Sequence, residues 1–291
     1  MATQEQIDNH AKIIDDILDG FDEFMDSASK VLENRIAQRV LEARTTDELL
    51  ELRVPINDDF EELVSLKVRE YIKEFDNIAL DTTKMVGDGI TPLDNRVASE
   101  LKAQVYQTLD ESVKTGRENV NTEIVIGAIA GLTVQAIAQN SRHAISGLFI
   151  QVDDLETTRL QNKLKKLRRA KVRKEDEIRA TLNSLKKKFA GVTVGSSMND
   201  TVSREMHDKV MDFDAVFIKH RAKQAGLKKF KYSGSLVAES RDFCIQHQGQ
   251  IFTEEEAQRK WSSQSWSGKR SGDPFVVRGG HNCRHFWVPV D

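Results

Sequence analysis

The stretch IDDILDGFDEFMDSASKVLENRIAQRV, from Ile14 to Val40, decides the fold class. Ile14, Ile17, Phe21, Phe24, Val31, Leu32, Ile36 and Val40 recur at steps of three to four residues, with one wider step at Ala28, and charged residues fill the gaps. An apolar stripe of that period covers one face of an α-helix and leaves the other face to water. The segments that follow repeat the pattern. After a break around Thr45 to Pro55, residues Phe60, Val64, Val68, Tyr71, Ile72 and Phe75 predict a second helix. Leu93, Val97, Leu101, Val105, Leu109 and Val113 predict a third, starting after Pro92 and stopping at Gly116, because glycine enters the left-handed cap conformation without strain. Each stripe is explained by ordinary helix packing.

Composition agrees with a folded chain of limited core. The 291 residues are 31% charged and 39% hydrophobic, room for one large or two modest domains and unlike a disordered or membrane-embedded protein. The opening MATQEQIDNHAKIIDD lacks a basic, then apolar, secretion signal, so synthesis in a reducing cytoplasm is expected. Two cysteines in that compartment point to free thiols or metal ligands before a structural disulfide.

The net charge of -3 conceals a polarity along the chain. Acidic residues outnumber basic ones roughly two to one from Met1 to Phe75, and the ratio reverses from Arg159 to Lys231. The densest basic run is KLKKLRRAKVRK, carrying Lys163, Lys165, Lys166, Arg168, Arg169, Lys171, Arg173 and Lys174. Two readings stay open: a solvated helix face, or contact with DNA phosphates or an acidic partner, where clustered cations release counterions. Leu164, Leu167, Ile178, Leu182 and Leu185 keep an apolar stripe through the run, which places the charges on a packed helix. No base-reading motif accompanies them.

EIVIGAIAGLTVQAIAQNSRHAISGLFI, from Glu123 to Ile150, is more apolar than its surroundings, and its Gly127 and Gly131 pair would let two helices approach closely. Gln135, Gln139, Asn140, Arg142 and His143 interrupt it, leaving about fifteen continuous apolar residues where roughly twenty span a bilayer. A buried helix or helix pair is expected in place of a membrane segment. Ala190 to Asp200 reads as a loop, and Thr201 opens a helix that ends at Gly226. Beyond it the pattern changes: Phe230 to Val237, Phe275 to Val277 and His285 to Val290 predict short strands, and Thr253 with Glu256 predicts a capping box on a helix ending near Trp261. The expected fold is mainly α, long amphipathic helices followed by a small C-terminal α+β module. It divides into an acidic helical region (1–120), an apolar plus basic helical region (121–190) and the module (191–291).

The module carries a family resemblance. A helix ending in AKQAGLKKFKYSG, then SRDFC, a short FTEEEA helix and the closing GDPFVVRGGHNCRHFWVPV resemble the C-terminal half of the phage Mu F-like head morphogenesis proteins. The likeness covers Thr201 to Val290, and its most specific pieces are GGHNCRHFW and SRDFC. It implies a virion protein of a tailed phage, made in the host cytoplasm: a minor head protein at the portal vertex, in several copies, with portal and capsid proteins as partners and DNA within reach.

The same segments carry the residues of a candidate metal site. Cys244 and His247 are spaced C-x-x-H, and His281, Cys283 and His285 alternate as H-x-C-x-H. Structural zinc takes four such ligands in a tetrahedron. Cys244, His247, Cys283 and His285, or His281 in place of the last, supply them. Packed neighbouring thiols, or a disulfide formed after release from the cell, are the alternatives. A thiol nucleophile finds little support, because no nucleophile elbow surrounds either cysteine. Asp273-Pro274 and Gly279-Gly280 read as turn residues, Arg241, Arg278 and Arg284 as partners of that turn or of carboxylates, and Trp261, Trp266 and Trp287 as packing anchors. No phosphate-binding loop, dinucleotide fingerprint or acidic metal triad occurs. A non-enzymatic structural adaptor is expected, with an internal protein ejected with the genome, acting on the host envelope, as the alternative.

Overall fold

The computed structural model describes residues 2–87, 89–147, 197–234, 236, 240–266 and 268–290. The basic run from Lys163 to Lys174 therefore lies outside the described residues, as does the end of the apolar stretch.

The first helix, α1 (Gln4–Glu42), starts in a capping box in which the Thr3 hydroxyl accepts from Gln6 N and the Gln6 side chain accepts from Thr3 N. Its buried face carries Ile14, Leu18, Phe21, Met25, Leu32, Ile36 and Val40. Val31, which the periodicity placed on the stripe, is instead 41% exposed, because it falls at the stripe's edge. The break predicted around Thr45 to Pro55 is shorter in the structure. Thr45 caps α2 (Thr46–Glu51), and α3 (Arg53–Phe60) follows almost at once. Pro55 sits in the first turn of α3, where its missing N–H breaks no helical hydrogen bond. A π-helical turn at Glu61–Ser65 joins α3 to α4 (Leu66–Lys73), and α5 (Phe75–Val86) continues the chain.

The third predicted helix does not stop at Gly116. Helix α6 (Pro92–Ile129) runs 38 residues from a Thr91–Asp94 capping box. Gly116 is buried mid-helix, where an added Cβ would lie 2.8 Å from Met198 Cβ. The glycine serves close packing here, not termination. Gly127 does the same against Ile137, whose Cγ1 would be 2.6 Å from such a Cβ, while Gly131 at φ 71° ends the helix through a Leu132 N to Gly127 O bond. The pair that looked alike in sequence has two jobs. The chain then turns back as α7 (Val134–Ser146), which packs on α1 and α6 through Ile137, Ala138, Ser141 and Ile145; the expected burial holds for that face, while Ile126, Ile129 and Leu132 around the turn are exposed. No helix among the described residues is long and apolar enough to cross a membrane.

Helix α8 (Met198–Gln224) connects the two parts of the molecule. Ser197 caps it, and the helix starts at Met198, three residues before the Thr201 read from sequence. Met198, Val202, Met206, Val210, Phe213 and Phe217 join the helical core, while Ala215, Ile218 and Ala222 join the core of the C-terminal module. That module holds β1 (Lys229–Gly234), α9 (Asp242–His247), β2 (Ile251–Thr253), α10 (Glu254–Ser263), α11 (Pro274–Val277) and β3 (His285–Val290). Its sheet is antiparallel in the order β2-β1-β3. The capping box at Thr253 and Glu256 opens α10 as expected. The strand expected at Phe275 to Val277 is a short helix: Asp273 accepts from Phe275 N at 2.9 Å and Pro274 occupies the first helical position, a pairing that starts helices. Strand β3 alternates, sending Trp287 into the module core and Phe286 and Val288 into the helical core, so the sheet has no wet face there.

Candidate metal centre

The two sequence segments singled out at the C-terminus meet in space. SRDFC leads into α9, and the Arg241 Nη2 donates to the His281 carbonyl at 2.7 Å, tying that segment to GGHNCRHFW. Phe243 stacks on Trp266 at 4.2 Å and meets the Trp261 edge at 4.5 Å, which anchors α9 and fixes the direction of Cys244. On the other side, Gly279 and Gly280 let the chain turn tightly into Cys283. A Cβ at Gly279 would lie 2.5 Å from both the Cys244 and the Cys283 sulfur, so only glycine leaves room for the pair. Gly280, at φ 92°, lies against the Gly268 carbonyl.

Cys244, Cys283 and His285 are all buried, and their ligand atoms lie within 4.8 Å of one another. The sulfurs are 3.9 Å apart as free thiols, and the Cys283 sulfur is 3.7 Å from His285 Nδ1. A tetrahedral ion with sulfur at about 2.3 Å and nitrogen at about 2.0 Å spans about 3.8 Å between two sulfurs and about 3.6 Å between sulfur and nitrogen. The two sulfurs, and the Cys283 sulfur with His285, match these spans within a few tenths of an ångström, and Cys244 lies within 4.8 Å of the His285 ring nitrogen. Hydrogen bonding from Cys244, together with His285 nearby, holds the Cys283 thiol well below the usual thiol range, and sharing that same bond with Cys283 pushes Cys244 up. Cys283 is thus the member of the pair held toward the thiolate, the form that ligates metals.

Two of the five ligands considered from sequence are elsewhere. His247 shares the α9 face with Cys244, but its Nδ1–H donates to the Phe243 carbonyl at 2.8 Å and its ring stacks on Phe243 at 4.4 Å. It is outside the cluster, which corrects its place in the expected set. Burial among aromatic rings also pushes its pKa down. His281 is half-exposed and bonds Asp208 at 2.5 Å, so His285 is the histidine at the sulfurs. Spacing overlooked Tyr232. Its hydroxyl, fully buried, lies 3.5 Å from each sulfur, and its ring stacks on His285 at 4.8 Å. A tyrosine in a strand with aromatic neighbours gives no sequence signal for such a role.

Sequence also missed the acidic row that receives the module. Arg284 reaches Asp15 and Asp19 of α1, both at 2.8 Å; Arg270 clasps Asp212 at 2.6 and 2.8 Å; Asp208 accepts from Asn282 N at 3.0 Å. Arg278, buried and at φ 44°, has Nη1 3.8 Å from Asp214. The same Asp214 bonds His10 at 2.9 Å, and His10 bonds Asp81 at 3.0 Å, joining α1, α5 and α8. Burial alone would push the His10 pKa down, but Asp214 and Asp81 overcome it and raise it to about 9. The four-residue spacings of Asp15 with Asp19 and of Asp208 with Asp212 were the available signal. Arg241, Arg278 and Arg284 do order the turn or face carboxylates, as read from sequence.

No protein-family model, curated protein or solved structure matches the chain.

Proposed function

We propose that this chain is a non-enzymatic virion protein of a tailed phage, a minor head protein at the portal vertex that takes part in head assembly and in DNA packaging or delivery. The observation that carries this is the convergence of SRDFC and GGHNCRHFW, the pieces most like the phage Mu F-like proteins, on one buried cluster. A module built around that cluster and fastened to a helical body by Arg270, Arg278 and Arg284 suits a rigid adaptor. Cys244 and Cys283 are only 2% and 5% exposed, which favours a structural role over a thiol enzyme. In this account the acidic helices meet the portal or capsid, several copies form a ring, and the basic run from Lys163 to Lys174 faces DNA or an acidic partner. Structural zinc, held by Cys244, Cys283 and His285, cross-links α9 to β3 in a module with few aliphatic residues.

The packing of α7 (Val134–Ser146) against α1 and α6 gives that part of the apolar stretch a role inside the body, which weighs against its release into an envelope. A density map of the portal vertex in intact and emptied particles tests the proposal. Copies arranged with the portal ring and kept after DNA release support it. Absence from the vertex overturns it, and loss on emptying supports the ejected-protein alternative.

A further inference from the structure

The three clustered side chains leave a tetrahedral ion one ligand short, and the surroundings restrict what can complete it. Catalytic zinc keeps an open position for water, whereas structural zinc is closed by four protein ligands. Here Cys244, Cys283, His285 and Tyr232 are all buried, and Gly279 seals one side against both sulfurs. His247, the fourth ligand that spacing suggests, lies outside the group of ligand atoms within 4.8 Å of one another, with Nδ1–H donated to the Phe243 carbonyl. The Tyr232 oxygen, by contrast, is 3.5 Å from each sulfur. An oxygen ligand at about 2.0–2.2 Å from a tetrahedral ion lies about 3.5 Å from a sulfur bound to the same ion.

We propose that the phenol oxygen of Tyr232 is the fourth ligand, which makes the centre two cysteines, one histidine and one tyrosine. This rests on the zinc reading of the other three side chains. Four of the six edges of the ligand set, the 3.5, 3.5, 3.7 and 3.9 Å separations, match those of a tetrahedron, and the Cys244-to-His285 edge lies within 4.8 Å. The phenol is already in place: β1 pairs Tyr232 with Trp287, its ring stacks on His285 and its edge meets Trp261 at 5.3 Å. Gly234 allows this close pairing, because a Cβ there would lie 2.6 Å from the Arg284 carbonyl. In the metal-free chain burial and the two sulfurs push the Tyr232 hydroxyl up, so the phenolate forms only with the ion bound. A divalent ion deprotonates its ligands, so two thiolates and a phenolate leave the centre at minus one with a neutral imidazole. Arg241 acts on Cys244 and Arg278 on Cys283 to offset it.

The test is a metal titration of the full chain after chelation, with Co²⁺ as the spectroscopic probe and Zn²⁺ as competitor. One equivalent of Co²⁺ with tetrahedral visible bands and sulfur charge-transfer absorption is expected, together with the ultraviolet difference spectrum of one tyrosinate on adding Zn²⁺. Tyr232→Phe is expected to weaken binding at least tenfold and shift the visible bands, while His247→Gln leaves both unchanged. A wild-type chain that binds Co²⁺ without the tyrosinate signal overturns the assignment even if Tyr232→Phe fails to fold. So does a Tyr232→Phe variant with wild-type affinity and spectrum, or weakening by His247→Gln; in these cases the three-ligand zinc reading survives. A wild-type chain that binds no Co²⁺ overturns both.

Discussion

The helical body and the C-terminal module are held together by different means. In the body, α1, α6, α7 and α8 bury aliphatic stripes along most of their length, so stability is spread over many residues of modest individual weight. In the module, Tyr232, Phe243, Trp261, Phe275 and Trp287 do the packing around one Cys and His cluster, so a few residues carry it. Distributed cores tolerate change at single positions, while concentrated ones fail at single positions. The seam between them combines both strategies, with Phe286 and Val288 entering the body's core beside buried ion pairs.

Truncating a module anchor is the strongest way to break this comparison. Trp261→Ala is expected to cost about 3–5 kcal/mol and to unfold the module, seen as loss of near-ultraviolet circular dichroism with most far-ultraviolet signal kept. Retention of the wild-type melt would show that the module's packing is as distributed as the body's.

The buried network at His10 gives the next effect. The folded His10 pKa of about 9 lies above the ordinary value of 6.5. Its protonated form is therefore favoured by folding, the contribution is complete below about pH 6.5, and it is lost as pH rises through about 9. The loss amounts to roughly 3 kcal/mol by linkage. Urea midpoints measured from pH 6 to pH 10 should fall accordingly, and His10→Gln should flatten the slope. An equal slope in the variant would assign the alkaline loss to other groups.

Gly116→Ala places a methyl against Met198 where α6 meets α8, and is expected to cost about 1–3 kcal/mol in a thermal melt. A stabilised variant would return Gly116 to the helix-ending role that its sequence suggests. Arg284→Ala, which removes the contacts to Asp15 and Asp19 at the seam, is expected to cost about 1 kcal/mol or less, because both carboxylates keep access to water.

The parts legible in sequence were those set by local rules. The 3.6-residue period of α1 and α6, the Thr253 capping box and the alternating strand at His285 to Val290 all follow from chemistry within a few neighbours. Gly116 and the Phe275 to Val277 segment misled for the opposite reason. What a glycine does depends on Met198, 82 positions away in the numbering, and a short apolar run becomes helix because Asp273 and Pro274 precede it. The Cys and His cluster was half legible: Cys244, Cys283 and His285 were named from spacing, but His247 lies outside it with its Nδ1 on the Phe243 carbonyl, and Tyr232 arrives from a strand with no spacing relation to the cysteines.

The proposed metal cross-link would set the module apart from the body, whose described residues hold no such cluster, and zinc analysis of the full chain coupled to a melt in chelator tests it most directly. About one zinc per chain, with chelation or Cys283→Ser lowering the module transition while leaving the body's helical transition in place, is the expected result. Less than about 0.2 zinc per chain, with both transitions unchanged in chelator, would contradict it.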